Sequence, residues 1–192
     1  MDTITTAGIV IDVQKNEQSG KILSMDVFTI DYGIMRWFVQ TSLDHSRDFM
    51  FEDVEIIGNK TTETAGKVYK ITTLSDNSNA MRQNGNYQRA KVFVEILRKV
   101  IFDGVPLENL FVITKQAIKN FASNFDASMV LLKALYLLCR EEGYAVDTTW
   151  MNSLSDGDRT LARTIISSKL DANVDDGAPR LSDSLQRWLL SH

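Results

Sequence analysis

The sequence predicts a two-part α+β protein: a small five-stranded β-barrel-like half up to about residue 80, then an all-α half. Three observations predict it. Apolar residues gather in five short runs between Gly8 and Leu74, and in the second, third and fifth they alternate with a period of two. Polar stretches that carry glycine separate those runs. After Gln83 the apolar period lengthens to about three and a half, the spacing of helices that bury one stripe.

The first run, Gly8-Ile9-Val10-Ile11-Asp12-Val13, reads as a strand, and the polar segment from Lys15 to Gly20 ends it in a turn. From Ile22 to Ile30, Leu23, Met25 and Val27 take one side and Ser24 and Asp26 the other. Asp31-Tyr32-Gly33 predicts a tight turn. Ile34 to Val39 resumes, with Met35, Trp37 and Val39 opposed to Ile34, Arg36 and Phe38. Val54, Ile56 and Ile57 mark a fourth strand that Gly58 ends, and Asn59 to Gly66 reads as a polar loop. Lys67 to Leu74 is the fifth, with Val68, Lys70, Thr72 and Leu74 on one side. Five short strands rich in β-branched residues suggest a sandwich or a small barrel.

Ser75 to Gln83 reads as a linker, which divides the chain into domains at 1–78 and 79–192. Phe93, Ile96, Leu97, Val100 and Ile101 make the first helical stripe, ended by Asp103-Gly104. Pro106 suits the first turn of the next helix, whose stripe runs from Leu107 to Phe121. Met129 to Cys139 is apolar almost all round and predicts a central helix terminated by Gly143. Leu161 and Ile165 belong to a fourth helix with Ser155 as N-cap, and Leu181, Leu185, Trp188 and Leu189 to a last one.

Composition bounds the function. The chain has 192 residues, 44% hydrophobic and 24% charged, an ordinary globular mix. Met1 is followed by Asp2 and Thr3 with no basic, apolar leader, and the longest apolar run falls short of the ~20 residues of a membrane span. A single cysteine, Cys139, excludes an internal disulfide and a multi-cysteine zinc site, so a cytoplasmic location is expected. The net charge is −4. Residues 1–82 hold 8 Lys/Arg against 12 Asp/Glu and residues 83–192 hold 13 of each, without the positive excess common in nucleic-acid binders.

Catalysis finds little support. His45 lies in a polar loop, His192 is the last residue, and Cys139 sits in the apolar helix as a core thiol, so no base stands beside a nucleophile. No phosphate-binding glycine loop occurs. Asp171, Asn173, Asp175 and Gly177 outline a calcium loop whose glycine is one place late and whose twelfth position is Ser182, which reads as a solvated acidic loop. No metal and no cofactor are expected.

Binding of single-stranded nucleic acid fits a five-stranded barrel, which can stack bases on aromatics over a basic groove. The candidate aromatics are Phe28, Tyr32, Trp37, Phe38 and Tyr69, and the candidate bases are Lys15, Lys21, Arg36, Arg47, Lys67 and Lys70. A second basic cluster is Arg82, Arg89 and Lys91 with Arg98 and Lys99, of which Arg89 and Lys99 are the candidate DNA contacts. Strand aromatics more often fill a core, and scattered lysines more often face water.

The order of these features resembles the RecO family of bacterial DNA repair and recombination proteins. Gly8-Ile9-Val10-Ile11 and Phe28-Thr29-Ile30-Asp31-Tyr32-Gly33-Ile34 are similar to its first strand and its Phe-Thr-x-x-x-Gly turn. Gly66 to Leu74 looks like its fifth strand. Ala90 to Ile101 with Pro106-Leu107-Glu108-Asn109-Leu110-Phe111 resembles its first two domain helices, and Leu131 to Leu138 with Gly143-Tyr144-Ala145-Val146-Asp147 its Leu-rich helix. The resemblance implies an oligonucleotide-binding (OB) fold, a helical C-terminal domain, and non-catalytic strand annealing and recombinase loading. The implied partners are single-stranded DNA, RecR and the acidic tail of single-strand-binding protein. The chain departs from the family in three respects, one of them its acidic overall charge. Gln40 to Asp48 is nearly neutral where the family has a basic stretch, and Thr148 to Asn152 holds no cysteine where many members insert a zinc site. The expected function is a RecO-like protein that binds single strands. The alternative is a protein–protein adaptor that keeps the fold without DNA binding, which the acidic balance favours.

Overall fold

The computed structural model describes residues 3–39, 48–101, 105–171 and 177–191. His45, Arg47, most of the neutral 40–48 segment, Asp103-Gly104, most of the acidic 171–177 loop and His192 lie outside these residues. The chain divides into two compact units, residues 1–80 with 101–112, and residues 81–100 with 113–192.

The first unit is a closed barrel of five strands: β1 (Thr3–Lys15), β2 (Ile22–Thr29), β3 (Gly33–Val39), β4 (Asp53–Lys60) and β5 (Ala65–Thr73). The order around the barrel is β1-β2-β3-β5-β4, closed by antiparallel β1–β4 pairing. The β3–β5 pair is parallel and the other pairs are antiparallel. The fold is therefore α+β with an OB-like barrel, as expected, and closure removes the open sheet edges. Val10, Met25, Val27, Met35, Ile56 and Val68 fill the interior around Trp37.

Three strands depart from simple alternation at bulges. On β1 the pairing passes from Val10↔Val27 to Asp12↔Asp26, so Ile11 is an extra residue there and is buried beside Val10. On β5 the register passes from Ile57↔Lys70 to Gly58↔Val68, so Tyr69 is the extra residue. Tyr69 and Lys70 are both exposed, while Val68 and Ile71 both pack on the core. The expected shared side of Val68, Lys70, Thr72 and Leu74 is broken there. On β2 the pairing passes from Gln14↔Ser24 to Lys15↔Ile22, which turns Ile22 inward and leaves Leu23 50% exposed, not beside Met25 and Val27.

The expected linker is a helix, α1 (Asn77–Gln83). Its start is capped from a distance by Glu52, which is fully buried. One carboxylate oxygen of Glu52 accepts from the Ser78 N–H at 2.9 Å, and the other from Ser75 Oγ at 2.8 Å and the Asn77 N–H at 3.3 Å. Orphan donors at a helix start favour an anion there. No local sequence period shows a cap supplied from so far along the chain. Phe51 beside it holds φ +68°, costly for a bulky residue, and is pinned by its N–H to Val10 O and by Asn77 Nδ2 on its carbonyl.

The second unit takes in α2 (Tyr87–Val100), most of α3 (Glu108–Phe121), and α4 (Ala127–Glu141). A π-helical turn, Val146–Trp150, then leads into α5 (Met151–Ser153), α6 (Asp156–Ser167) and α7 (Ala178–Leu190). α4 packs against α2, α6 and α7 and is buried on most sides, the central position its apolar run predicts. Asp126 caps its start by accepting from the Met129 N–H at 2.8 Å. Gly143, with φ +76°, ends it: the Gly143 N–H donates to Arg140 O and the Tyr144 N–H to Cys139 O, the paired bonds of a glycine C-terminal motif. Lys133 sits in this apolar helix because its ammonium donates to the carbonyls of Ile166 and Ser168 at the end of α6. Ser155 caps α6 by accepting from the Asp158 N–H at 3.2 Å. Among the described residues no helix is long and apolar enough to cross a membrane.

Candidate nucleic-acid interface

The outer face of β2, β3 and β5 gathers several of the candidates. Cross-strand pairing sets Phe38 of β3 between Ser24 of β2 and Lys67 of β5. One step along, it sets Arg36 between Asp26 and Ala65. Phe38 is 45% exposed and Tyr69, at the bulge, 48%. Lys67 and Lys70 are exposed around them. Lys15 and Lys21, also exposed, stand at the two ends of the β1–β2 turn, which borders this face at its Phe38 end. Asn16 builds that turn, its side-chain oxygen accepting from the N–H groups of Gln18 and Ser19. The β4–β5 loop borders the face at Arg36, whose N–H donates to Thr64 O at 2.9 Å.

Two candidate aromatics are elsewhere. Trp37 is fully buried in the barrel interior and offers no stacking surface, a correction to its place among the DNA-binding candidates. Its side of β3, shared with Met35 and Val39, faces inward, and strand residues one apart face opposite ways. Phe28 points outward but is fully buried too, meeting the Phe111 ring edge-on at 5.6 Å. Tyr32 is half-buried, with the Lys60 ammonium 4.8 Å from its ring centre.

No family model matches this chain, and no curated protein matches it.

The centre of the face holds a residue that the list of candidates omits. Asp26, buried to 6% side-chain exposure, accepts from Arg36 Nε at 2.7 Å and from Arg36 Nη2 at 2.9 Å. This two-point pairing fixes the guanidinium in one plane and cancels most of its net charge. A depression of about 260 Å³ opens there, lined by Asp26, Ile34, Arg36, Thr64 and Ala65. The signal for Asp26 was present in the sequence: it shares the polar side of β2 with Ser24, and a hairpin about Asp31 brings it opposite Arg36.

The helical candidates are arranged differently. Arg89 pairs with Asp183 of α7 at 2.7 Å. Arg82 stacks over the Tyr87 ring, 3.9 Å from its centre. Lys99 is exposed near the end of α2. Arg89 and Lys99 lie ten places apart, about 80° around a helix of 3.6 residues per turn. They do not form one basic stripe on α2.

Cys139 is fully buried in α4, and burial pushes its thiol up to about 12, so it stays protonated at neutral pH. A protonated core thiol is neither nucleophile nor metal ligand. Among the described residues no three His, Cys, Asp or Glu side chains gather as a metal site requires.

Proposed function

We propose that this chain is a RecO-like DNA repair and recombination protein that binds single-stranded DNA across the β2–β3–β5 face of its barrel. It acts by holding strands for annealing and recombinase loading, without catalysis or a cofactor. Its partners in this reading are a RecR-like protein and the acidic tail of single-strand-binding protein. The observation that carries the reading is the pair of half-exposed aromatics, Phe38 and Tyr69, standing beside Lys67 and Lys70 on an OB-like barrel. Single-strand binders of this architecture combine such stacking platforms with cations that follow the backbone.

A labelled single-stranded oligonucleotide titrated at low salt tests it by fluorescence anisotropy. Binding is expected, weakening as salt rises. Phe38→Ala and Tyr69→Ala are each expected to cost about 1–3 kcal/mol of affinity, the worth of one stacked base. Both variants are expected to keep the unfolding temperature. Absence of binding at low salt, with the chain folded, overturns the reading.

The Asp26 carboxylate at the centre of the face, with the acidic balance of residues 1–82, favours a second reading, an adaptor that contacts proteins alone. Capture of repair partners by immobilised chain, with no affinity for DNA, is the outcome that reading requires.

A further inference from the structure

The geometry points to Arg36 as a stacking platform for one nucleobase, locked flat by Asp26, and not as a phosphate contact. The inference rests on the single-strand-binding reading and deepens it by assigning which part of the nucleic acid meets the centre of the face.

A phosphate contact needs net positive charge. At Arg36 that charge is cancelled by a carboxylate at 2.7 and 2.9 Å, and Asp26 is itself buried and fixed. A phosphate seated over the pair would meet Asp26 as well as Arg36, and like charges at such range repel. The pair offers something else. Its two parallel bonds hold the guanidinium plane rigid, so little side-chain freedom is lost when a ring settles on it. Arginine planes take unstacked bases in the same way as aromatic rings.

The surroundings fit a ring. Arg36 is 42% exposed and forms one wall of the depression of about 260 Å³. That is below the ~300–1,000 Å³ of a drug-sized pocket. Ile34 supplies an apolar flank, and Ala65, where β5 faces Arg36, is the small residue that leaves the space open. Phe38 lies two residues along the same face, about 6.5 Å away by strand rise. Arg36 and Phe38 thus form two successive platforms along one strand, with Lys67 beside Phe38 for the backbone.

The test measures affinity against salt for the wild-type chain and for Arg36→Lys, Asp26→Asn and Lys67→Ala. The probes are a base-bearing single-stranded oligonucleotide and an abasic sugar–phosphate oligomer of the same length. Arg36→Lys keeps the charge and loses the plane. It is expected to weaken the base-bearing probe about tenfold, the order of one lost stack. It is expected to leave the abasic probe and the salt slope unchanged. Lys67→Ala is expected to reduce the salt slope by about 0.7, the share of one phosphate on a single strand. Asp26→Asn keeps the shape and an acceptor while unmasking the guanidinium charge, so its slope is expected to steepen by up to about 0.7. Wild-type affinity in Arg36→Lys, or an equal loss on both probes, overturns the inference, as does an unchanged slope in Asp26→Asn. If Arg36→Lys fails to fold, Asp26→Asn decides alone. Failure of the wild-type chain to bind the base-bearing probe overturns the single-strand-binding reading itself, which separates the two.

Discussion

The Trp37 indole rests on Gly66: a Cβ at that glycine would come within 2.6 Å of the ring, and one at Gly58 within 2.8 Å. The two glycines on β5 and β4 are the space that lets the largest side chain of the barrel lie inside it. Gly66→Ala is therefore expected to cost about 1–3 kcal/mol of stability through overpacking. In a Gly66→Ala/Trp37→Phe double variant the smaller ring is expected to recover part of that loss, since the two sites share one contact. Urea unfolding of the two single variants and the double variant measures the coupling, and strictly additive costs would contradict the contact.

Gly33 has a different constraint. It holds φ +64°, and a Cβ there would run into the backbone carbonyl of Val105. This accounts physically for the glycine of the Phe-Thr-x-x-x-Gly turn, where the chain must turn left-handed and admit the Val105 backbone against it. Gly33→Ala is expected to destabilise by at least about 1–2 kcal/mol, the cost of the left-handed conformation alone. Gly33→Asn, which tolerates that conformation, is expected to remain destabilised because its Cβ meets the same carbonyl. Full stability of Gly33→Asn by thermal unfolding would remove the steric part of the account.

Much of the barrel was legible because its interior is apolar and its exterior polar, so period-two alternation marks strands. The same pattern marked Trp37 as interior, since it shares a side with Met35 and Val39 against Arg36 and Phe38, but its aromatic ring placed it among the DNA-binding candidates, which its burial overturns. The alternation fails at Leu23 and Tyr69, where one inserted residue shifts the phase without changing composition. Helix α1 was illegible for another reason. Its cap is Glu52, 26 residues before Ser78, and long-range caps leave no local spacing. The Arg89–Asp183 pair is separated by 94 residues and is equally silent in the sequence. The Asp26–Arg36 pair lies between these cases, readable only once the hairpin register is drawn.

The thiol of Cys139 gives a direct check on the α4 core. Burial holds it up to about 12, far above the range in which a surface thiol reacts. A thiol reagent at pH 8 is expected to leave the native chain unlabelled and to modify its single cysteine once denaturant unfolds the helical unit. Rapid labelling of the native chain would show that α4 opens far more readily than its packing against α2, α6 and α7 implies.

The Tyr136 hydroxyl, on α4, donates to Asp147 of the π-helical turn, and Arg140 Nε lies 3.9 Å from the other carboxylate oxygen. Burial of the phenol raises its pKa first, and the hydrogen bond to Asp147 and the charge of that carboxylate raise it further, against an opposing pull from Arg140. The folded pKa therefore lies above the unfolded value of about 10. The protonated phenol makes the bond, so its contribution is fully present below pH about 10 and is lost as pH rises through the folded pKa. Tyr136→Phe removes the bond and is expected to cost about 1 kcal/mol near neutral pH, the net worth of one such interaction. Lys133, whose pKa burial lowers, is common to both chains and cancels in the difference between them. The stability gap between wild type and Tyr136→Phe, measured by urea unfolding, is expected to stay constant from neutral pH upward and to close above about 10. A gap that holds its size through that range would mean that the Tyr136–Asp147 bond does not tie the π-helical turn to α4.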